Sequence, residues 1–301
     1  MLDAVFPPMC TPFDDSGRID AAAIGTNVAR WVAAGTGGVV ALGSNGEAPL
    51  LDEAESDEVV AAVRASLPAD RTLIAGTGRE STAATIAASR RAAALGASAV
   101  LVRTPSYFRS RMTPEALARH YSSVADACPV PVLLYNYPAV TGVNLAPETV
   151  GRLSGHPNIA GIKETSSDTA QVAAYVDAST ASFTVMAGSA PTAYASLCVG
   201  ARGAILAAAC VVPEQCVALL AAHRRGDHAE ARRLQRSITP LARLVTTEYG
   251  VPGLKAAMNL AGYAAGDPRL PLLPAPAEAV ARIRAELVKL DVLAEVSRVR
   301  S

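Results

Sequence analysis

Eight times in succession a short apolar run gives way to a segment of helical spacing, which excludes folds built from a few long elements. The runs are Ala4–Met9, Gly37–Leu42, Arg71–Ala75, Ala99–Arg103, Val130–Tyr135, the stretch from Asn158 to Lys163, Phe183–Ala187 and Gly203–Leu206. The intervening helices carry readable start and stop signals. Asp52 and Ser81 stand at N-cap positions, helices open near Asp20, at Thr113-Pro114-Glu115 with the proline at its permitted first position, and at Ser167 or Asp168, and Gly96 marks a C-terminal stop. Eight such units in roughly 225 residues predict a (β/α)8 barrel over residues 1–226. An open doubly wound sheet would need a glycine fingerprint after its first strand, and Pro7-Pro8-Met9-Cys10-Thr11-Pro12 cannot serve. Beyond Gly226 the strand signal stops. Asp227–Thr247, Val251–Gly262 and Pro276–Leu293 read as helices, so residues 227–301 form a C-terminal helical appendage.

Composition narrows the function by exclusion. The 301 residues are 50% hydrophobic and 18% charged with a formal net charge of zero. That balance supports one large core and marks neither a nucleic-acid surface nor an acidic-lipid binder. The N-terminus lacks a basic region and a sustained apolar core, and the run from Gly203 to Val212 is too short to span a bilayer. Cys10, Cys128, Cys198, Cys210 and Cys216 form no C-x-x-C pair, and no histidine sits at a metal-ligand interval from any of them. They read as reduced, mostly buried thiols of a soluble cytoplasmic protein. His120, His156, His223 and His228 fall on helices or helix ends and read as ordinary surface histidines.

In a barrel of this type function collects at the C-terminal ends of the strands. Those ends carry Gly43-Ser44-Asn45-Gly46-Glu47, Gly76-Thr77-Gly78, Thr104–Phe108, Tyr135-Asn136, Lys163-Glu164-Thr165 and Gly188-Ser189. No histidine or carboxylate cluster suited to a metal is among them. A lysine ending a buried strand faces a desolvation cost that falls if the amine loses its proton, and a neutral amine is a nucleophile. Lys163 is therefore the candidate for imine formation with a 2-keto acid, which requires no cofactor. Tyr135, one strand earlier, is the candidate proton shuttle. The glycines of Gly43–Gly46 free successive backbone N–H groups to face an anion, and Ser44 adds a hydroxyl. The bland alternatives are an exposed lysine after a strand, a core tyrosine and an ordinary turn.

Four stretches together resemble the dihydrodipicolinate synthase/N-acetylneuraminate lyase superfamily. They are Gly43–Glu47, Thr104-Pro105-Ser106-Tyr107, Tyr135-Asn136-Tyr137-Pro138 with Thr141-Gly142, and Gly161-Ile162-Lys163-Glu164. The resemblance spans nearly the whole chain in order. It implies a barrel with a C-terminal helical region, assembled as a homotetramer, a dimer of dimers. It implies a pyruvate-type Schiff base on Lys163 with Tyr135 transferring protons, and Ser44 and Asn45 holding the keto-acid carboxylate. Tyr107 would complete the proton relay across a subunit interface. Thr165, Gly188 and Ile205 would line the pocket.

Two departures bear on the substrate. The synthases have an arginine before Thr141-Gly142 for the second substrate, and here Val140 stands there; they have two threonines in place of Ser44-Asn45. Together with Tyr107–Thr113 and Gly250–Lys255, these departures resemble the 4-hydroxy-2-oxoglutarate aldolase branch. The expectation is thus a lyase acting on 4-hydroxy-2-oxoglutarate or a related 2-keto acid, with Val140 forming an apolar wall and condensation with aspartate semialdehyde negligible. Dihydrodipicolinate synthase, a 2-keto-3-deoxy sugar acid aldolase or dehydratase, and a non-catalytic keto-acid-binding barrel are the alternatives.

Overall fold

The computed structural model describes residues 2–294. Eight strands carry the architecture: β1 (Val5–Phe6), β2 (Gly38–Ala41), β3 (Thr72–Gly76), β4 (Ala99–Arg103), β5 (Val132–Asn136), β6 (Ile159–Glu164), β7 (Thr184–Ala187) and β8 (Gly203–Ile205). They form one sheet in the order β1-β8-β7-β6-β5-β4-β3-β2, and every pairing is parallel. The seam between β1 and β2 closes through Gly37 N–H to Val5 O, Val40 N–H to Pro7 O and Met9 N–H to Val40 O, each 3.0 Å. Pro7 and Pro8 have no N–H to offer, so this seam is thin on the side they occupy. The closed (β/α)8 barrel is the fold expected of the alternation.

Strand periodicity sorts the side chains into two cores. Phe6, Val40, Ile74, Leu101, Leu133, Tyr135, Met186 and Ile205 pack inside the barrel. Val39, Ala41, Leu73, Ala75, Val132, Leu134 and Ile162 face outward into the layer beneath the helices. Between β5 and β6 the count slips. Val132 pairs with Ile159 but Leu133 pairs with Gly161, so Ala160 is an extra residue, a bulge. Past it Tyr135 lies opposite Lys163 on the inward-facing row.

The caps fall where the sequence puts them. Asp20, Ser81, Thr113 and Asp168 each accept a first-turn N–H, and Asp52 with Glu55 forms a capping box. One boundary differs. After β7 the alternation gives a 3-10 turn, Ala190–Thr192, and then only a short helix, Ala193–Cys198.

The C-terminal region consists of helices His228–Arg243, Gly250–Leu260 and Ala277–Lys289, with a π-helical turn at Leu244–Glu248. Residues 295–301 of the expected appendage lie outside the described residues. This region is fastened to the barrel by polar contacts. Asn27 donates to Ala264 O at 2.7 Å and accepts from Ala264 N–H at 2.9 Å. Trp31 donates to Cys210 O and stacks on Tyr263. Arg269 forks onto both oxygens of Glu55 at 2.7 and 2.8 Å.

The deepest tie is an ion pair. Lys255 Nζ lies 2.7 Å from Glu47 Oε1, and both side chains are essentially without solvent contact. Arg269 N–H donates to Glu47 Oε2 and the Lys255 ammonium donates to Asp267 O. The Phe13 ring lies 4.4 Å from Lys255 Nζ. Each charge is affordable only with the other in place. Lys255→Met is expected to destabilise the fold by about 3–5 kcal/mol in urea unfolding. Adding Glu47→Gln should recover part of that loss; strictly additive effects would show that the two groups are not coupled.

Candidate active site

Lys163 is the penultimate residue of β6, and its side chain points into the barrel among apolar neighbours, 4% exposed. Burial lowers its pKa to about 7, with a small opposing effect from Cys210. At neutral pH roughly half of such amines carry no proton, against about one in a few thousand for an ordinary lysine. The amine lies 4.3 Å from the centre of the Tyr135 ring.

Tyr135 is equally buried, and desolvation pushes its phenol up to about 12, partly offset by the hydroxyls of Ser44 and Thr165. Its hydroxyl makes a 3.3 Å hydrogen bond with Ser44 Oγ. Thr165 Oγ1 is buried beside it without a partner of good geometry. The phenol therefore stays protonated at neutral pH and stands in a row with hydroxyls that can pass a proton.

The Gly43–Glu47 segment follows β2 as a single 3-10 turn, Ser44–Gly46. The first N–H groups of such a turn have no acceptor inside it. Thr11 Oγ1 donates to Gly46 O at 2.7 Å, and Glu47 anchors the far end with a left-handed φ of 56°. The Lys255 ion pair thus holds the backbone that presents Ser44 and Asn45.

A cavity of about 160 Å³ opens above the amine. Asn45, Tyr135, Lys163, Thr165, Gly188 and Ile205 all line it, six of the residues expected at the site. Gly188 is required by space, since a Cβ there would sit 2.2 Å from Thr165 Oγ1 and 2.5 Å from Glu164 O. Ser44 reaches Tyr135 from the other side, where it lines a separate cavity of about 40 Å³.

Tyr107 is 79% exposed, packed edge-on against Phe108, and does not line the cavity of its own chain. Two other expectations are corrected. Val140 forms no wall: it is 65% exposed, and its neighbour Ala139 lines the cavity instead. His120 is buried rather than superficial, bonded to Thr82 Oγ1 at 2.9 Å and held down to about 4 by burial.

The structure also adds residues. Pro8, Tyr137, Ser166, Ser167 and Ser189 line the cavity, and Thr246 and Thr247 reach it from the π-helical turn of the C-terminal region. The threonines follow no strand, so strand-end reasoning misses them; their one signal is a polar pair within an amphipathic helix. Glu164 is buried and accepts from Asn136 Nδ2 at 2.7 Å, Gln171 Nε2 at 3.0 Å and Ser166 N–H at 2.5 Å. It ties β5, β6 and the following helix together and so holds Lys163 in line.

A closed parallel barrel with a buried, proton-poor lysine beside a phenol at its mouth defines the site of a Schiff-base aldolase or lyase. The chain belongs to the dihydrodipicolinate synthetase family, whose model matches residues 1–290. It is 37% identical to a 4-hydroxy-tetrahydrodipicolinate synthase of Parasynechococcus marenigrum over 90% of each chain. It is likewise 37% identical to one of Xanthomonas campestris pv. campestris over 97% of each. A dihydrodipicolinate synthase from Acinetobacter baumannii, solved in complex with pyruvate, superposes with a TM-score of 0.93 at 30% identity, covering 97% of this chain and all of that one. The protein is thus a class I pyruvate-dependent aldolase or lyase of this family. Among the described residues no helix is long and apolar enough to cross a membrane.

Because the lowered pKa is that of a base, the nucleophilic form of Lys163 grows as pH rises through about 7 and saturates above it. The rate of borohydride trapping with pyruvate should follow that curve, and Lys163→Ala should trap nothing. An inflection near the ordinary lysine value would mean that the amine is solvated during the reaction.

Proposed function

We propose that the chain joins pyruvate to an aldehyde through an enamine on Lys163, with the synthase reaction as the leading assignment. One observation carries the chemistry: a buried amine, its proton half lost at neutral pH, lies against a protonated phenol. Lys163 Nζ attacks the C2 carbonyl carbon of pyruvate, and Tyr135 protonates the resulting carbinolamine oxygen, which leaves as water. The protonated imine draws electrons from the methyl carbon, which loses a proton to the Tyr135 phenolate and so restores the phenol. The enamine carbon then attacks the aldehyde carbon, and hydrolysis returns the free amine. Ser44 relays the proton, and the N–H groups of Ser44 and Asn45 hold the carboxylate of pyruvate.

The assignment to aspartate semialdehyde as the acceptor rests on likeness to curated synthases over nearly the full length of both chains. The sequence-based objections were the missing arginine at position 140 and Ser44-Asn45 in place of two threonines; the apolar wall expected of Val140 is not built, since that side chain is exposed. A cation stands nearby: a Cβ on Gly142 would lie 3.2 Å from Arg109 Cδ and 3.4 Å from its Nη1. The second reading, cleavage of 4-hydroxy-2-oxoglutarate or a related 2-keto acid, draws on the absence of an arginine at position 140. Assembly as a homotetramer is part of the same proposal. The exposed pair Tyr107-Phe108 supports it, since two adjoining aromatic rings left in water are costly unless a neighbour covers them.

A coupled assay separates the readings. Condensation of pyruvate with aspartate semialdehyde should outpace pyruvate release from 4-hydroxy-2-oxoglutarate, from 2-keto-3-deoxy sugar acids and from N-acetylneuraminate. Faster release from 4-hydroxy-2-oxoglutarate would reverse the assignment. Val140→Arg should raise condensation. Tyr135→Phe should leave imine trapping detectable while turnover falls by roughly 10²–10⁴-fold.

A further inference from the structure

We propose that Cys198, His223 and His228 form a structural site for a zinc-type divalent ion on the outside of the barrel. His223 and His228 stand five residues apart with Cys198 well upstream, and one ligand atom from each falls within 4.8 Å of the others. Cys198 ends the short helix after β7, His223 stands in the last turn of helix Pro213–Arg224, and His228 opens helix His228–Arg243. The tight reversal between the two helices, with Gly226 at a left-handed φ of 72°, turns both imidazoles toward the thiol.

The surroundings suit a metal. Tyr194, one turn before Cys198, holds His228 Nδ1 at 3.0 Å and so fixes that ring, as outer-shell partners of metal-bound histidines do. His223 Nδ1 is buried and makes no hydrogen bond. The adjacent Arg224 guanidinium is engaged elsewhere, donating to the carbonyls of Asp3 and Arg202. Thiolate and imidazole together select a borderline ion such as zinc over magnesium or calcium. Tetrahedral zinc separates its ligand atoms by about 3.5 Å, given bonds near 2.0–2.3 Å. The cluster must therefore contract by roughly 1 Å, which rotation of the exposed Cys198 and His228 side chains supplies. Water completes the shell.

A helix following a barrel strand runs back toward the N-terminal ends of the strands, so Cys198 lies at the end of the barrel away from Lys163. The ion would clamp the last barrel helices to the first helix of the C-terminal region and take no part in the chemistry at the mouth.

The test uses the full chain stripped with a chelator and titrated with cobalt(II) under reducing, anaerobic conditions. One ion per chain should bind, with a thiolate-to-cobalt charge-transfer band that zinc abolishes by displacement. Cys198 is the only exposed cysteine among the five, so Cys198→Ser should remove the band. His223→Asn or His228→Asn should weaken binding by more than the roughly 10–100-fold typical of an outer-shell loss. Zinc should raise the melting temperature of the parent chain and not of Cys198→Ser, with imine trapping at Lys163 unchanged in all three variants. Binding well below one ion per chain, or a band that survives Cys198→Ser, overturns the proposal.

Discussion

The cost of burying an ammonium group shapes this molecule. Lys163 is withdrawn from water by a closed ring of strands, and the cheapest response is for the amine to shed its proton. Among the described residues no carboxylate is arranged to neutralise it; Glu164, next in the chain, is occupied by Asn136, Gln171 and Ser166. A carboxylate against the amine would have stabilised the charged form and removed the nucleophile. The same dry surroundings push the Tyr135 phenol the other way, so that at neutral pH one group is a free nucleophile while the other keeps a proton to donate.

Keeping that arrangement rigid falls to residues that never meet the keto acid. The Glu47–Lys255 pair is buried on both sides and joins the turn bearing Ser44 and Asn45 to helix Gly250–Leu260. A buried pair of this kind is poor evidence of net stability, because an apolar replacement is often as good. Its value is geometric: unpairing it leaves an isolated charge, so the turn has one low-energy position. The C-terminal region is therefore a structural part of the mouth. Thr246 and Thr247 extend that role to the cavity itself, from a π-helical turn of the sort often found at functional sites.

Much of this was legible because the signals were local. Strand runs, the N-caps at Asp52 and Ser81, the helix starts near Asp20, Thr113 and Asp168, and the lysine at a strand end need only neighbouring residues to be read. Asn45, Thr165, Gly188 and Ile205 were expected from the family resemblance, and the barrel gathers all four around one cavity. What stayed hidden depends on distant partners. Lys255 is an ordinary helix residue until Glu47 is placed beside it, and Val140 reads as lining a wall until its neighbour Ala139 takes that place. His120 resembles a surface residue until Thr82 supplies its bond. Cys198 stands at no ligand interval from His223 and His228, and only the packing of three helices brings it to them.

The bulge at Ala160 has a consequence for how such a protein can change. In a strand, inside and outside alternate, so the address of the reactive amine is set by counting residues from the last point where β5 and β6 are in step. Substitutions along β6 leave that count intact. Removing a single residue between the bulge and Lys163 would turn the amine to face the helices and bring Glu164 into its place. The site therefore depends on the length of β6 as strictly as on the identity of its lysine.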